Sequence, residues 1–535
     1  MKLSLSLFKD CLMKFYLCSI VVYFSLNGIT AFAQFQNVLI GSDNNPEEVS
    51  IFINPKNTNQ IVAGANIDNY YYSSDAGLTW HSGILSSQKY GVWGDPCIIA
   101  DTAGNFYFIH LSYPYNGNWI DRIVVQKSTN GGSVWTGGTY TGLNGTAAQD
   151  KAWAAVNPAN NEIYITWTQF DEYGTSNPKD SSVILFSKST DEGATWSQAK
   201  RISAKAGNCV DSDSTDEGAV PSVGPNGEIY VAWAGPDGLV FNKSTDDGDT
   251  WLNKEILVSD FPGGWDYNIS GLERSNGLPI TSCDVSNGPN RGTIYVNWSD
   301  QRNGSDNTDV WLAKSIDGGD TWTTPVRVNN DTGNKQQFFT WMSIDQSNGY
   351  LYFVFYDRRN YNGGDSTDVY LARSTDGGNT FVNYKINENL ILPDANVFFG
   401  DYINISTYNG IIRPIWMAYD GNSLSTWTAI VDDAMLGIES PSLNAYSPLE
   451  LLQNSPNPFN ESTLLSFSLK KKEHISLYLY NTLGEMIDTL FEDVYYDSGG
   501  HNYILNAKAM HLSPGIYYYS LVCGEYRMTK RMNLY

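Results

Sequence analysis

The sequence predicts an all-β protein: a seven-bladed β-propeller followed by a small β-sandwich tail. Three observations carry this. Aromatic residues make up 14% of the 535, with 48 Gly and 16 Trp, which suits many short strands joined by tight turns. An eight-residue motif recurs six times between residues 73 and 381. After that the period stops, and a differently patterned segment fills residues 449–535.

The first element is a leader. Lys2, Lys9 and Lys14 accompany an apolar run from Phe15 to Phe24, and Ala31-Phe32-Ala33 supplies a small-x-small cleavage site. Residues 1–33 read as a signal peptide, since a membrane span needs about 20 apolar residues. The mature chain is expected to start at Gln34 and to be exported, with no transmembrane segment. Cys18 follows Phe15-Tyr16-Leu17, which lacks the small residues of a lipoprotein site, so no lipid anchor is expected. Beyond the leader stand Cys97, Cys209, Cys283 and Cys523, too few for a disulfide scaffold. Export permits Cys209 and Cys283 to pair; isolated buried thiols are the equal alternative.

Charge narrows the function classes. The formal net charge is −24 and the isoelectric point about 4.5. The tail, with 7 basic and 9 acidic residues, and the leader, at +2, cancel, so the acidity sits between them. A chain without a basic face is unsuited to neutralising phosphates, which argues against nucleic acid and anionic lipid as partners.

The repeats organise residues 34–433. The copies are SSDAGLTW (73–80), STNGGSVW (128–135), STDEGATW (189–196), STDDGDTW (244–251), SIDGGDTW (315–322) and STDGGNTF (374–381), with starts 55, 61, 55, 71 and 59 residues apart. Around each copy lie four short alternating strands, the third running into the motif and the fourth leaving it, which is the pattern of a propeller blade. Within the motif, Ser and Asp suit a hydrogen-bonded tight turn and Gly suits a left-handed backbone. The closing Trp or Phe is expected between neighbouring blades. A seventh unit (400–432) supplies only three strands. FQNVLIGSD (35–43) matches the fourth strands of the other units and is expected to close the ring, removing an open edge.

Six copies of this motif resemble the Asp-box, or bacterial neuraminidase repeat, of sialidase-like propellers. The resemblance implies that the boxes lie on the face away from the ligand site and speak for fold, not catalysis. Residues 434–448 hold Pro, Ser and Gly, as a linker does. In 449–535 the segments NPFN, NTLGE and SPGIYYYSL, with a terminal basic-apolar strand, resemble the type A C-terminal sorting domain of type IX secretion. That implies an outer-membrane translocon as partner and a secreted or outer-surface destination. An appended carbohydrate-binding sandwich is the alternative.

On the ligand face, inner-strand starts contribute Glu47, Glu48, Trp93, Asp95, Asp150, Lys151, Trp153, Glu217, Asp401 and Tyr402. The loops after the second strands contribute Asp171, Glu172, Asp300, Arg302, Asp357, Arg358, Arg359 and Asp420. The candidate ligand-binding set is Asp95, Asp150, Trp153, Asp300, Arg302, Asp357, Arg358, Arg359 and Asp401, with Arg358, Arg359, Asp357 and Asp401 expected in one pocket. Carboxylates, guanidinium forks and aromatic walls suit a sugar; the competing reading is that Asp and Arg merely staple loops together. The Asp-rich loops 300–309 and 357–368 offer oxygens for Ca²⁺ without regular spacing, and the five His show no metal-ligand spacing.

Two functions follow. The first is a binding propeller for glycan or glycoprotein; the alternative is a glycoside hydrolase of sialidase-like fold. The sialidase resemblance would imply three Arg, the first ahead of the first box, yet residues 34–72 contain none, which argues against true sialic-acid hydrolysis.

Overall fold

The computed structural model describes residues 35–436, 449–482, 484–524 and 526–535. The leader with its cleavage site, and residues 437–448 of the expected linker, lie outside the described residues. Seven four-stranded antiparallel sheets follow one another as blades. Their innermost strands are Ser50–Ile53, Cys97–Ala100, Ala148–Val156, Glu217–Val223, Ile280–Cys283, Gln337–Asp345 and Asn404–Tyr408. The sequence reading of seven blades holds, and so does its closure. Gln36–Gly41 lies outermost in blade 7 and pairs antiparallel with Leu424–Asp432, from Gln36 opposite Ile430 to Gly41 opposite Thr426. The first and last strands of the ring thus share one sheet, which leaves that sheet without an unfilled outer position.

The second strand of each blade carries the alternation that fills the space between sheets. Trp167, Trp233, Trp298 and Trp416 occupy equivalent places on these strands and are fully buried. In blade 2 the same place holds His110, whose ring packs edge-on to Phe108 at 6.1 Å.

The recurring motif forms the turn between third and fourth strands. In blade 3 the Ser189 hydroxyl donates to Asp191 (2.9 Å) and accepts from the Gly193 N–H (2.8 Å). Asp191 in turn accepts from the Thr195 N–H (2.8 Å) and hydroxyl (2.6 Å). The same bonds recur at Asp75, Asp246, Asp317 and Asp376. Gly248 shows why the turn needs glycine: φ is +80° and a Cβ there would lie 2.3 Å from the Phe186 ring of the preceding blade. The closing ring then packs across the gap, Trp251 on Phe186 at 5.1 Å and Trp322 on Phe241 at 5.2 Å.

One regularity escaped the sequence reading. In five of the six copies the residue just before the motif is a cation, and three of these reach a carbonyl of the next blade's turn: Lys188 Nζ donates to the Asp247 carbonyl (2.7 Å), Lys243 to Gly318 (2.8 Å) and Lys314 to Gly377 (2.8 Å). At the closure, where blade 7 has no motif, Arg413 of its second strand donates to the Ala76 carbonyl of blade 1 (2.8 Å) and makes the equivalent contact.

Blade 7 ends at Asp432, and Asp433–Leu436 forms one helical turn. Residues 449–535 form two further sheets, one of Leu449–Leu451, Ser462–Leu469 and Gly499–Asn506, the other of Met486–Tyr496, Glu473–Tyr480, Gly515–Cys523 and Tyr526–Leu534. Leu465, Phe467, Leu477, Leu479, Tyr519 and Leu521 lie in their shared core. This two-sheet arrangement is the small β-sandwich expected for the tail. All four cysteines beyond the leader are free and buried. Cys209 and Cys283 are thus the isolated thiols of the alternative reading and form no disulfide. No helix among the described residues is long and apolar enough to cross a membrane.

Candidate functional site

The inner strands all start on the face opposite the motif turns, where their first residues crowd the propeller axis. Four non-glycine residues there take a left-handed backbone: Glu48 (φ 50°), Asp95 (51°), Lys151 (46°) and Phe339 (49°). Each such conformation costs about 1–3 kcal/mol, and strain of this kind collects at functional sites. Three of the four are ionisable, and their side chains meet.

Lys151 Nζ lies 2.7 Å from Asp401, 3.7 Å from Asp95 and 4.0 Å from Glu48. Since Lys151 belongs to blade 3 and Asp401 to blade 7, their contact crosses the axis. Arg274 grips the same Asp401 with two nitrogens, at 2.8 and 2.5 Å, and approaches Glu48 and Asp211 at 4.0 Å each. Arg274 comes from a short hairpin, Asp266–Tyr267 with Ser275–Asn276, inserted between blades 4 and 5. Asn66 ties two carboxylate-bearing segments together, donating to Glu48 (2.5 Å) and accepting from the Asp95 N–H (2.7 Å). Asp211 is fixed by the Trp265 indole N–H (2.7 Å) and the Tyr173 hydroxyl (3.3 Å).

Electrostatics divides these carboxyl groups. Burial pushes Glu48 and Glu217 well above the usual carboxylate range, with Asp95 adding to the effect on Glu48 and Asp211 to that on Glu217. Burial, with help from Asp95 and Asp211 against the opposing Lys151, raises Asp150 to about 7. Glu47 also reaches about 7, through burial. Burial would raise Asp401 too, but Lys151 and Arg274 overcome it and hold the group ionised. Burial alone would lower the Lys151 ammonium, yet Asp401, Asp95 and Glu48 keep it above its ordinary value. The result is neutral carboxylic acids beside a fixed carboxylate, the arrangement that separates acid and base roles in active sites. Glu48 Oε1, Asp95 Oδ2, Glu217 Oε1 and the Tyr402 hydroxyl are buried without a hydrogen bond. Such atoms are costly unless a ligand or water completes them.

Trp153 forms the floor. Its ring meets Trp341 at 4.5 Å and Tyr402 at 4.9 Å. Blades 3, 6 and 7 thereby touch across the axis, and Trp153 and Trp341 also line a channel of about 400 Å³ between the inner strands, which the charged cluster does not line.

The remaining candidates lie elsewhere in this face and act on each other. Arg302 pairs with Asp300 (2.5 Å), stacks on Trp311 (4.5 Å) and reaches the Ser259 hydroxyl of blade 4 at 3.1 Å. Arg359 pairs with Asp357 (2.6 Å), stacks on Tyr370 (4.2 Å) and reaches Asn330, beyond the outer strand of blade 5, at 2.6 Å. These are one inter-blade staple used twice. Arg358 pairs with Asp365 (3.3 Å) and with the Thr367 hydroxyl (3.1 Å). Asp401 pairs with Lys151 and Arg274, and no ion pair links it to Asp357, Arg358 or Arg359 among the described residues.

The Asp-rich loops are occupied in the same way. Asp309 is held by Arg327 (3.3 Å) and Asn329 (2.6 Å), and Asp368 by Lys385 (2.8 Å). Among the described residues no group of three or more His, Cys, Asp or Glu is arranged to hold a metal ion.

No family model matches the chain, and no curated protein matches it. Among solved structures, a protein of unknown function from Dyadobacter fermentans is 12% identical with a TM-score of 0.43, over 76% of this chain and 99% of that one. A Hadza microbial sialidase is 13% identical with a TM-score of 0.38, over 71% of this chain and 75% of its own. An ulvan lyase of polysaccharide lyase family 25 is 12% identical with a TM-score of 0.45, over 74% and 96%. None of the three fixes an activity. The chemistry of the pit has to be read from its own residues.

Proposed function

We propose that this protein is an exported carbohydrate-binding propeller whose glycan or glycoprotein ligand sits in the axial pit formed by Glu48, Asp95, Lys151, Arg274 and Asp401. The observation that carries the reading is the set of buried oxygens on Glu48, Asp95 and Glu217 that make no hydrogen bond, with Glu48 and Asp95 held in an ion-pair cluster and Glu217 by the Thr168 hydroxyl. Sugar hydroxyls supply both donors and acceptors, so they suit neutral acids, carboxylates and cations standing side by side. The test is a glycan array followed by calorimetry on the purified chain. Arg274→Ala and Asp401→Asn should each weaken binding by about tenfold or more, the scale of one lost charged hydrogen bond. Arg359→Ala should lower the melting temperature and leave affinity intact. Affinity lost with Arg359 and kept with Arg274 and Asp401 would refute the placement.

A second reading, glycoside hydrolysis, is favoured by one feature: Asp150 at about 7 and the neutral Glu48 stand near the ionised Asp401. A fluorogenic glycoside panel tests it, with loss of turnover in Asp150→Asn and Glu48→Gln. The arginines do not favour a sialidase, because among the described residues Arg274 alone joins the cluster while Arg302, Arg358 and Arg359 are paired elsewhere.

The repeat turns and the tail support the Asp-box and sorting-domain resemblances and complete the proposal, with a type IX translocon as the export partner. Deleting 449–535 should leave the truncated chain inside the native host's envelope. Undiminished appearance outside the cell would refute that assignment.

A further inference from the structure

A row of exposed rings runs outward from the pit. Trp93 precedes Asp95 by two residues, and its ring meets Tyr113 at 5.0 Å and Trp119 at 6.4 Å; Trp119 meets Tyr173 at 5.6 Å. All three contacts are edge-to-face, with interplanar angles of 71°, 86° and 82°, so no two rings are stacked flat on each other. Tyr113, Trp119 and Trp93 are 51%, 41% and 37% exposed, unusual for neighbouring aromatics on an acidic, polar surface. The row ends at the pit twice, through Asp95 beside Lys151 (3.7 Å) and through the Tyr173 hydroxyl on Asp211 (3.3 Å).

The loop bearing Tyr113 and Trp119 is built to hold its shape. Buried Asp121 accepts from the Ser112 hydroxyl (2.8 Å), the Asn118 N–H (3.3 Å) and two Arg122 nitrogens (2.7 and 2.8 Å). Ile120 N–H closes the loop on the Ser112 carbonyl (2.9 Å), and Tyr113 N–H binds the Tyr90 carbonyl (2.9 Å). Gly91 is required beneath it, since a Cβ there would fall 2.0 Å from the Tyr113 carbonyl oxygen. Exposed rings held rigidly lose little entropy on binding.

We propose that Trp93, Tyr113 and Trp119, set edge-to-face, form an aromatic platform against which a neutral pyranose chain packs where a ring face is open, its end or branch entering the pit. This rests on the pit reading and extends it from a single sugar to a polymer. The C–H faces of a pyranose match flat aromatic faces, and a chain bridges platform and pit where a monosaccharide cannot. Charge selects the class. Even with Glu48 and Glu217 set aside as neutral, Asp95, Asp150, Asp211 and Asp401 outnumber Lys151 and Arg274, which disfavours sialylated, uronate or sulfated chains. The row is also too small for a stable protein partner, which would cover about 800 Å².

The test is affinity electrophoresis of the chain in gels containing neutral polysaccharides (xyloglucan, galactomannan, laminarin, starch) or acidic ones (polygalacturonate, alginate), with melting temperature as the fold control. At least one neutral polymer should retard the protein. Trp119→Ala and Tyr113→Ala should each weaken that retardation by about tenfold, at an unchanged melting temperature, the scale of one lost aromatic contact. Asp401→Asn should weaken it as well. Retention by Trp119→Ala and Tyr113→Ala with loss in Asp401→Asn overturns the platform and leaves the pit. Loss in the aromatic variants with retention in Asp401→Asn overturns the pit reading. Retardation by acidic polymers alone overturns the neutral class, and retardation by none overturns both.

Discussion

The two faces of the propeller treat the same kind of side chain in opposite ways. At the motif turns each aspartate accepts a hydroxyl and two N–H or O–H donors from its own loop. Thr and Ser donors hold Asp246 near 2; burial would raise Asp376, but the Thr380, Ser374 and Asn379 donors of its own turn overcome it and hold this group near 2 as well. At the opposite face burial drives Glu47 and Asp150 up to about 7, and Glu48 and Glu217 remain with an unbonded oxygen. A carboxylate saturated by local donors stabilises its turn. One left buried and incomplete costs stability, and the fold keeps it only under some other constraint. Counting acidic residues does not separate the two faces; counting their donors does.

The ring itself is the common support, so breaking it should have the largest effect. Deleting Gln36–Gly41 removes the outermost strand of blade 7 and exposes the edge of Leu424–Asp432. The expected outcome is aggregation or loss of the cooperative transition, read by size-exclusion chromatography and circular dichroism. A deletion variant as soluble and heat-stable as the parent would show that closure is dispensable.

Next in size is a contrast of two lysines. Lys151 is buried among Asp401, Asp95 and Glu48, while Lys243 bonds a carbonyl and Asp320 at the edge of the motif face. Removing one partner from a buried cluster costs about 3–5 kcal/mol, against about 0–1 kcal/mol for a surface pair. Lys151→Met should therefore lower stability in urea titrations far more than Lys243→Met. Equal losses would mean that the pit is as well solvated as the rim.

That contrast also shows what the sequence made legible. The blades, their number and their closure followed from recurrence, because each is a repeated physical unit and FQNVLIGSD carries the pattern of the fourth strands. Asp95, Asp150 and Asp401 followed from position, since inner-strand starts must converge on the axis. Glu48, Lys151 and Glu217 stood at the same positions but were not placed in the candidate set, where Asp300, Arg302, Asp357 and Arg359 were. Those two Asp–Arg pairs align with each other, a likeness the sequence reading took for a shared ligand face and the structure shows to be one inter-blade staple used twice. Arg274 and Asp211 sit in connections with no counterpart in other blades, so alignment of repeats was blind to them. One signal did point to Arg274: the 71-residue gap between the fourth and fifth usable motif starts, at 244 and 315, marks an insertion. In a repeat fold, what occurs once is the better guide to function.

A smaller effect should separate fold from binding at the motif face. Asp191→Ala removes the acceptor for Ser189 and Thr195, and its turn should loosen. The melting temperature should drop by a few degrees while glycan affinity of the folded protein stays unchanged. Loss of affinity at an unchanged melting temperature would put the ligand on the motif face instead.

The smallest expected effect is a change of slope with pH, and it tests the electrostatic contrast directly. Asp150 and Glu47 hold protons in the folded chain up to about 7, whereas the unfolded chain releases them near the ordinary carboxylate values. Over that interval the native state binds more protons, so stability falls as pH rises from about 4 to about 7. The motif aspartates act with the opposite sign. Asp246 and Asp376, held near 2, contribute stability that is present above the ordinary value and lost as pH falls through about 2. The melting temperature should accordingly peak in mildly acidic buffer and decline on both sides. Asp150→Asn keeps an acceptor for the Lys151 N–H and removes one titrating proton. Its decline between about pH 5 and pH 7 should be shallower than the parent's, and Asp376→Asn should leave that limb unchanged while altering the acid one. If Asp150→Asn follows the parent curve throughout the neutral limb, the pit carboxyl is ionised like any surface group, and the difference between the two faces is one of hydrogen bonding alone.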